Sequence, residues 1–187
     1  MAVFVSMLRG VNLAGHRKVN MGELRALYES LGFRDVQTYI NSGNVIFRAT
    51  ARDLPKLARR IEDAIENHHG FRIGVILRTA ADLRAVVAAN PFGARAGIEP
   101  SRLAVNFLAR GPGPNLVEKL LAIQCDPEEL RIVGRELYIY YPNGMARPKL
   151  SMAVVERMLK MPGTSRNWNT TRKLLDLAEK LEATSGT

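Results

Sequence analysis

The amino-acid sequence predicts an α+β fold in which two similar subdomains follow each other along the chain. Three observations support this class. Short apolar runs of strand length alternate with longer segments that carry apolar residues at helical spacing. In the first half these segments follow the order strand, helix, strand, strand, helix, strand, and the second half repeats the first five. The length of 187 residues is sufficient for two small units.

The first half contains six elements with clear boundaries. Asn20, with Glu23 three residues later, forms a capping-box-like helix start, and Gly32 supplies the stop of the same helix. The turn Asn41–Asn44 joins two strands into a hairpin. In chain order we expect a strand over Ala2–Leu8, a helix over 21–31, strands over 36–40 and 45–48, a helix from 54 to about Gly70, and a strand over 72–77.

This βαββαβ order is typical of a ferredoxin-like subdomain. A short helix follows, capped by Thr79 with Asp82 and stopped at Asn90-Pro91. The first subdomain with this helix therefore spans residues 1–89. The Gly- and Pro-rich residues 90–100 form a connection, and the second subdomain spans 101–187.

The second half repeats the pattern and indicates an internal duplication of the ferredoxin-like unit. Its leading strand ends in Ala109-Arg110-Gly111, as the first strand ends in Leu8-Arg9-Gly10. A helix capped by Asn115 follows, then paired strands that meet near Gly134. We expect strands over 102–110, 129–134 and 136–141, a helix over 151–160, and a C-terminal helix over about 169–181 that docks across the subdomains.

Composition and charge restrict the class of protein. Hydrophobic residues make up 47% of the chain and no apolar run approaches the length of a membrane span, so we expect a globular protein with no membrane partner. The single cysteine, Cys125, and the lack of a basic leader before the first apolar stretch predict a cytoplasmic protein without a signal peptide. The net charge of +9 favours polyanionic or phosphorylated partners, although its even spread also fits a solvated basic surface.

A first candidate site combines two loops of the first subdomain. The first and third strands of a βαββαβ sheet are adjacent and antiparallel, so the loop Arg9–Gly15 should lie beside the turn Asn41–Asn44. Together they offer a guanidinium, carboxamides, a hydroxyl and glycine N–H groups that could cradle an anion. The alternative is that the glycines only turn the chain. His16-Arg17 after Gly15 excludes a P-loop, which needs Lys-Ser/Thr there.

A second candidate site is the polar run Thr164–Lys173 at the predicted start of the last helix. Arg172 and Lys173 in a first helical turn oppose the helix dipole unless an anion lies nearby. The alternative is that Asn167 or Asn169 caps the helix and Trp168 anchors it by packing.

Other residues are interpreted as structural. Phe4 and Phe47 occupy strands where RNA-recognition folds place stacking aromatics, but without that signature we expect core residues. His68-His69 has no partner at metal spacing in the sequence, and Cys125 has no histidine near it. The sequence therefore predicts no metal site, no cofactor and no identified catalytic residue.

Five segments resemble the domain-of-unknown-function 1697 family of bacterial proteins. They are LRGVNLAG (8–15), KVNMGELRALYESLGF (18–33), VQTYINSGNVIF (36–47), NPF (90–92) and TSRNWNTTRKL (164–174). The resemblance covers essentially the whole chain, and TYINSGN and SRNWNT are its most specific parts. It implies a small cytoplasmic α+β protein with two similar subdomains and no established activity. The chain departs from the family pattern at Pro148, where a hydroxyl usually precedes Lys149.

These observations predict a binding module for a phosphate-bearing ligand, either nucleic acid or a nucleotide-like metabolite. An enzyme acting on a phosphorylated small molecule and a protein-interaction or oligomer-forming domain are the alternatives, and the sequence determines no oligomeric state. The candidate ligand-binding residues are Arg9, Gly10, Asn12, Lys18, Ser42, Gly43, Asn44, Arg166, Asn167 and Thr170.

Overall fold

The computed structural model describes residues 1–12, 18–150 and 152–184. Within them the chain forms two four-stranded antiparallel sheets and six α-helices, which confirms the predicted α+β class. The strands are β1 (Ala2–Leu8), β2 (Arg34–Tyr39), β3 (Asn44–Ala49), β4 (Val75–Thr79), β5 (Leu103–Leu108), β6 (Glu129–Val133), β7 (Glu136–Tyr140) and β8 (Gly163–Asn167). The helices are α1 (Met21–Ser30), α2 (Leu54–His69), α3 (Ala80–Ala88), α4 (Pro114–Leu121), α5 (Met152–Leu159) and α6 (Trp168–Ala183), with one 3₁₀ turn at Pro100–Arg102.

The chain divides into two compact units. The first unit contains residues 1–84 and the described C-terminal residues from Lys173 onward, and the second contains residues 85–172. The boundaries fall inside α3 and α6. Among the described residues, the helices are all too short or too polar to cross a membrane.

In the first unit β1 is a central strand. The sheet order is β2-β3-β1-β4, and β1 pairs with both β3 and β4. The side chains of Phe4, Tyr28, Phe33 and Phe47 form an aromatic group in the apolar core beside α1 and α2. The rings of Phe33 and Phe47 stack with their centroids 4.6 Å apart. Phe4 and Phe47 are therefore core residues, as predicted.

One hydrogen bond lies inside this core. The hydroxyl groups of Ser6 on β1 and Tyr28 on α1 are 2.7 Å apart, and both residues are fully buried. Burial raises the pKa of the Tyr28 phenol well above its usual value, while the hydrogen bond from Ser6 acts in the opposite direction. The pair satisfies two polar groups that would otherwise be costly to bury.

A buried arginine connects the end of α6 to the first sheet. Arg48 on β3 forms an ion pair with Asp35 at 2.8 Å. Its guanidinium also donates to the carbonyl of Leu181 and, at 3.1 Å, to the hydroxyl of Thr184. The C-terminal end of α6 is thus held by the first sheet.

The second unit has the sheet order β6-β7-β5-β8, again with its first strand between two neighbours. Residues from β5, β7, α4 and α5 form its own apolar core. This core includes Leu108, Leu120, Leu137, Ile139, Val155 and Leu159.

The structure corrects one missed strand and two predicted boundaries. Strand β8 was not predicted, because Gly163–Asn167 is polar and is buried through backbone pairing with β5. Helix α4 begins at Pro114 with Gly113 as its N-cap, not after Asn115, since proline is favoured in the first helical position. Strand β4 is shifted from 72–77 to Val75–Thr79, because its pairing with β1 begins at Val75, opposite Leu8, where β1 ends.

Other predicted helix starts and ends are confirmed, apart from the Glu23 half of the capping box, whose carboxylate accepts no hydrogen bond from a described residue. Asn20 accepts hydrogen bonds from the first N–H groups of α1, and α2 ends at Gly70 in the left-handed conformation. Thr79 and Asp82 bond reciprocally at the start of α3.

The Ser6–Tyr28 pair can be tested by a double-mutant cycle. We expect Tyr28→Phe and Ser6→Ala each to lower the free energy of unfolding by about 1–2 kcal/mol, because each leaves a buried hydroxyl without its partner. The double variant should lose less than the sum, by about 0.5 kcal/mol or more. Urea denaturation followed by circular dichroism measures all four proteins. Tyr39→Phe, at a half-buried tyrosine, is the control, and additive losses would contradict the coupling.

Candidate functional site

The end of β1 lies beside the turn between β2 and β3, as the strand order requires. The backbone N–H of Leu8 donates to the carbonyl of Gly43 at 2.8 Å. The side chain of Asn12, in the loop after β1, donates to the carbonyl of Asn41 at 2.7 Å. The predicted adjacency of the two loops is therefore confirmed for their described residues. Leu13 to Arg17, which include Gly15 of the predicted cradle, lie outside the described residues.

Asn12 holds this loop in place through its carboxamide. Besides its bond to Asn41, Nδ2 donates to the carbonyl of Val19 at 3.1 Å, and Oδ1 accepts from the N–H of Val19 at 2.9 Å. Its backbone has a φ of 54°, a conformation that asparagine tolerates better than most residues. Both amide hydrogens of Asn12 thus form hydrogen bonds within the protein, and the residue holds the conformation of the loop.

Gly43 and Asn44 stabilise the turn between β2 and β3. Gly43 has a φ of 73°, and a Cβ there would lie 2.6 Å from Val11 Cγ2 and 2.7 Å from Leu8 Cβ. Asn44 is fully buried, and its Nδ2 donates to the carbonyl of Tyr39 at 3.0 Å and to the hydroxyl of Ser42 at 2.9 Å. These contacts fix the turn against the end of β1.

An open cleft of about 500 Å³ lies beside the start of α1. Of the predicted site residues, Asn12 and Lys18 line it. Lys18 is exposed and makes no ion pair with any described residue. Arg9 is exposed at the end of β1, where its backbone N–H bonds to Gly74, and Gly10 follows with a φ of 66°. The described residues that line it are Asn12, Lys18, Val19, Asn20, Met21 and Asn41.

Arg166, Asn167 and Thr170 belong to the second unit. Arg166 is buried on β8, where its guanidinium donates to Thr164 Oγ1 at 2.9 Å and to the carbonyl of Ser165 at 2.8 Å. Burial lowers the pKa of Arg166 to about 10, because desolvation disfavours the charged form.

At the start of α6 the polar run caps the helix and Trp168 packs, which is the predicted alternative to an anion site. The Asn167 side chain accepts from the N–H of Thr170 at 2.8 Å, so Asn167 is the N-cap. Trp168 and Thr170 are buried, and Lys173 forms an ion pair with Asp176 at 2.9 Å. Because α6 begins at Trp168, Lys173 lies in its second turn and not in the first turn as predicted, and it has a carboxylate neighbour in the helix itself.

One cluster was missed by the sequence analysis. The carboxylate of Glu23 on α1 and the imidazoles of His68 and His69 on α2 have ligand atoms that all lie within 4.8 Å of one another. Desolvation and the neighbouring His68 lower the pKa of His69, while Glu23 acts in the opposite direction. The two helices of a βαββαβ unit are antiparallel, so the first turn of α1 lies beside the last turn of α2. This topology is the feature of the sequence that could have predicted the cluster.

Cys125 has the properties of a structural cysteine. It is buried, and its thiol donates to the carbonyl of Glu128 at 3.2 Å. Desolvation, followed by the charges of Glu128 and Asp126, raises the pKa of the thiol. A raised pKa disfavours the thiolate that nucleophilic chemistry requires.

The family described as "Protein of unknown function (DUF1697)" matches residues 1–138. The chain belongs to the DUF1697 family. The conserved bacterial protein SP0830 from Streptococcus pneumoniae has a similar structure, with a TM-score of 0.74 and 24% sequence identity over 96% of this chain and 99% of that one. This similarity concerns the fold. A comparison with curated proteins found no match.

The close packing at Gly43 of this DUF1697 protein predicts a large effect of a small substitution. We expect Gly43→Ala to lower the free energy of unfolding by about 2–4 kcal/mol, because the new methyl group overlaps Leu8 and Val11 in a left-handed backbone. Gly32→Ala is the matched control. Gly32 has a φ of 80° but no atom within 4 Å of a Cβ, so only about 1 kcal/mol of backbone strain is expected. Equal losses in urea denaturation would show that packing against β1 contributes nothing.

The capping role of Asn167 predicts that substitutions at Asn167 and Asn169 change the stability of the protein differently. Asn167→Ala should lower the free energy of unfolding by about 1 kcal/mol, whereas Asn167→Ser should retain most of the stability because serine also caps helices. Asn169→Ala, two residues further into the helix, should be neutral or slightly stabilising. Thermal and urea denaturation of the three variants measure this order. A loss at Asn169 as large as that at Asn167 would contradict the assignment.

Proposed function

We propose that this DUF1697 protein binds a phosphate-bearing ligand, either a nucleic acid or a nucleotide-like metabolite, in the cleft beside α1. The observation that carries the proposal is the exposed ammonium group of Lys18 on the wall of that cleft, without an ion pair among the described residues. An uncompensated cation in a concave surface attracts an anion. The net charge of +9 favours the same class of ligand.

The other residues of the cleft suit this chemistry. The side chain of Asn41 is exposed at the opposite loop and can donate hydrogen bonds to phosphate oxygens, as asparagine does in many phosphate contacts. Arg9 is exposed at the end of the adjoining strand and adds a second positive charge. Ser42, Gly43 and Asn44 hold the turn that carries Asn41. A volume of about 500 Å³ is in the range that accommodates a mononucleotide-sized group.

We further propose that the chain is an internal duplication of a ferredoxin-like unit. Two buried arginines support it, because Arg78 on β4 pairs with Val5 and Arg166 on β8 pairs with Val105. Each guanidinium donates to the carbonyl of the residue just before it, Leu77 at 2.9 Å and Ser165 at 2.8 Å. We expect a duplicated chain to repeat such an unusual hydrogen bond of a buried arginine at equivalent strand positions.

The two units differ where the cleft lies. Residues 9–20 join β1 to α1, but only residues 109–113 join β5 to α4. The longer connection provides Asn12 and Lys18 to the cleft of the first unit. In a duplicated fold, the copy with an extended loop is the better candidate for a ligand site, because binding residues concentrate on such loops.

Binding of labelled single-stranded RNA and DNA across a salt series tests the proposal, with EDTA present throughout. We expect affinity to fall log-linearly with salt. The double variant Arg9→Gln, Lys18→Gln should bind more weakly, with a slope shallower by about 1.4, because two phosphate contacts are removed. Fluorescence anisotropy measures affinity and slope together.

The matched control is the double variant Lys56→Gln, Arg59→Gln. It removes the same charges from exposed positions near the start of α2, at the opposite end of the helix from His68 and His69. Its salt slope should stay close to that of the unmodified protein. Equal effects of the two double variants would mean that only the overall charge attracts nucleic acid. If neither nucleic acid binds at low salt, the same variants are titrated with mononucleotides, and failure there also would overturn the proposal.

A further inference from the structure

Two helices of the first unit bring three metal-ligating side chains together. Glu23 lies in the first turn of α1, and His68 and His69 form the last turn of α2. Although they are far apart in the sequence, their ligand atoms lie within 4.8 Å of one another. Two imidazoles and one carboxylate form a donor set that binds zinc and related ions.

We propose that Glu23, His68 and His69 form a binding site for a divalent first-row transition-metal ion such as Zn²⁺. Ligand atoms at about 2.0–2.1 Å from zinc in a tetrahedron are roughly 3.3 Å apart. Separations of up to 4.8 Å between ligand atoms can be closed by side-chain rotation, since Glu23 and His68 are exposed. The nitrogen donors distinguish this site from a magnesium or calcium site, which is built from oxygen ligands.

The surroundings of His69 support the assignment. Its Nε2 atom is buried and has no hydrogen-bond partner among the described residues. Buried polar atoms usually have a partner, so this nitrogen requires an explanation that a bound cation would provide. The ring is held by Phe71, with centroids 5.7 Å apart and planes 30° apart, and it stands nearly perpendicular to the ring of His68.

The Glu23 carboxylate is available for the same purpose. Its position three residues after Asn20 predicted a role in capping α1. In the structure the Asn20 side chain caps the helix by accepting from the N–H groups of Gly22 and Glu23, at 2.7 and 3.2 Å. Among the described residues, the Glu23 carboxylate accepts no hydrogen bond and forms no ion pair with lysine or arginine.

Three protein ligands leave a coordination position open. An ion with three protein ligands completes its shell with water or with an atom of a ligand. Glu23 lies two residues after Met21, which lines the cleft beside α1. The metal site nevertheless rests on its own three side chains and does not depend on phosphate binding.

Titration of the tag-free protein with Zn²⁺ by isothermal calorimetry, without nucleic acid or phosphate, tests the site. We expect one ion per chain and no binding of Mg²⁺ at the same concentration. Glu23→Gln, His68→Gln and His69→Gln should each weaken Zn²⁺ binding by about tenfold or more, because each removes one of three ligands. The absorption spectrum of Co²⁺ provides a second measurement, since tetrahedral nitrogen and oxygen ligation gives visible bands that the variants should lose.

Two variants serve as controls. Glu29→Gln removes an exposed carboxylate from the same helix, where it pairs with Arg25, and His16→Gln removes the remaining histidine of the chain. Both should bind Zn²⁺ as the unmodified protein does. Binding that survives the double variant His68→Gln, His69→Gln, or that is lost in His16→Gln alone, would overturn the proposal. Circular dichroism confirms that each variant is folded, and failure of nucleic-acid binding in EDTA leaves this result unaffected.

Discussion

The antiparallel pairing of β1 with β3 is the interaction on which the rest of the first unit depends. It runs from Ala2 opposite Ala49 to Met7 opposite Asn44, and it continues into the hydrogen bond between Leu8 and Gly43. Because antiparallel strands end where their partners begin, this pairing places the loop after β1 against the turn before β3. The cleft beside α1 exists because both loops are held at this one edge.

The same pairing determines the arrangement of the helices. Since α1 follows β1 and α2 follows its antiparallel neighbour β3, the two helices run in opposite directions over one face of the sheet. The start of α1 therefore lies beside the end of α2. This explains how Glu23 meets His68 and His69, and why the cleft and the proposed metal site occur at the same end of the first unit.

Most polar residues of the recognisable motifs serve the fold. Asn12 and Asn44 satisfy backbone carbonyls of the two loops, and Asn167 caps α6. Each occupies a place where main-chain groups lack partners in regular secondary structure, and a carboxamide can supply them. The exposed ammonium group of Lys18 forms no ion pair with a described residue, and for this reason it carries the functional proposal.

The amino-acid sequence alone predicts the α+β class, the strand order of the first half and most helix ends, because apolar periodicity and capping residues act over short distances. It also placed the two loops of the site together through topology alone. It did not determine β8, whose polar residues are stabilised by pairing with a distant strand, or the hydrogen bond from the Asn12 side chain to the carbonyl of Asn41. It also did not show that the side chain of Glu23 meets the histidines of α2, because the topology places the two helix ends together but not their side chains. These features depend on contacts between residues far apart in the chain, which only the tertiary structure creates.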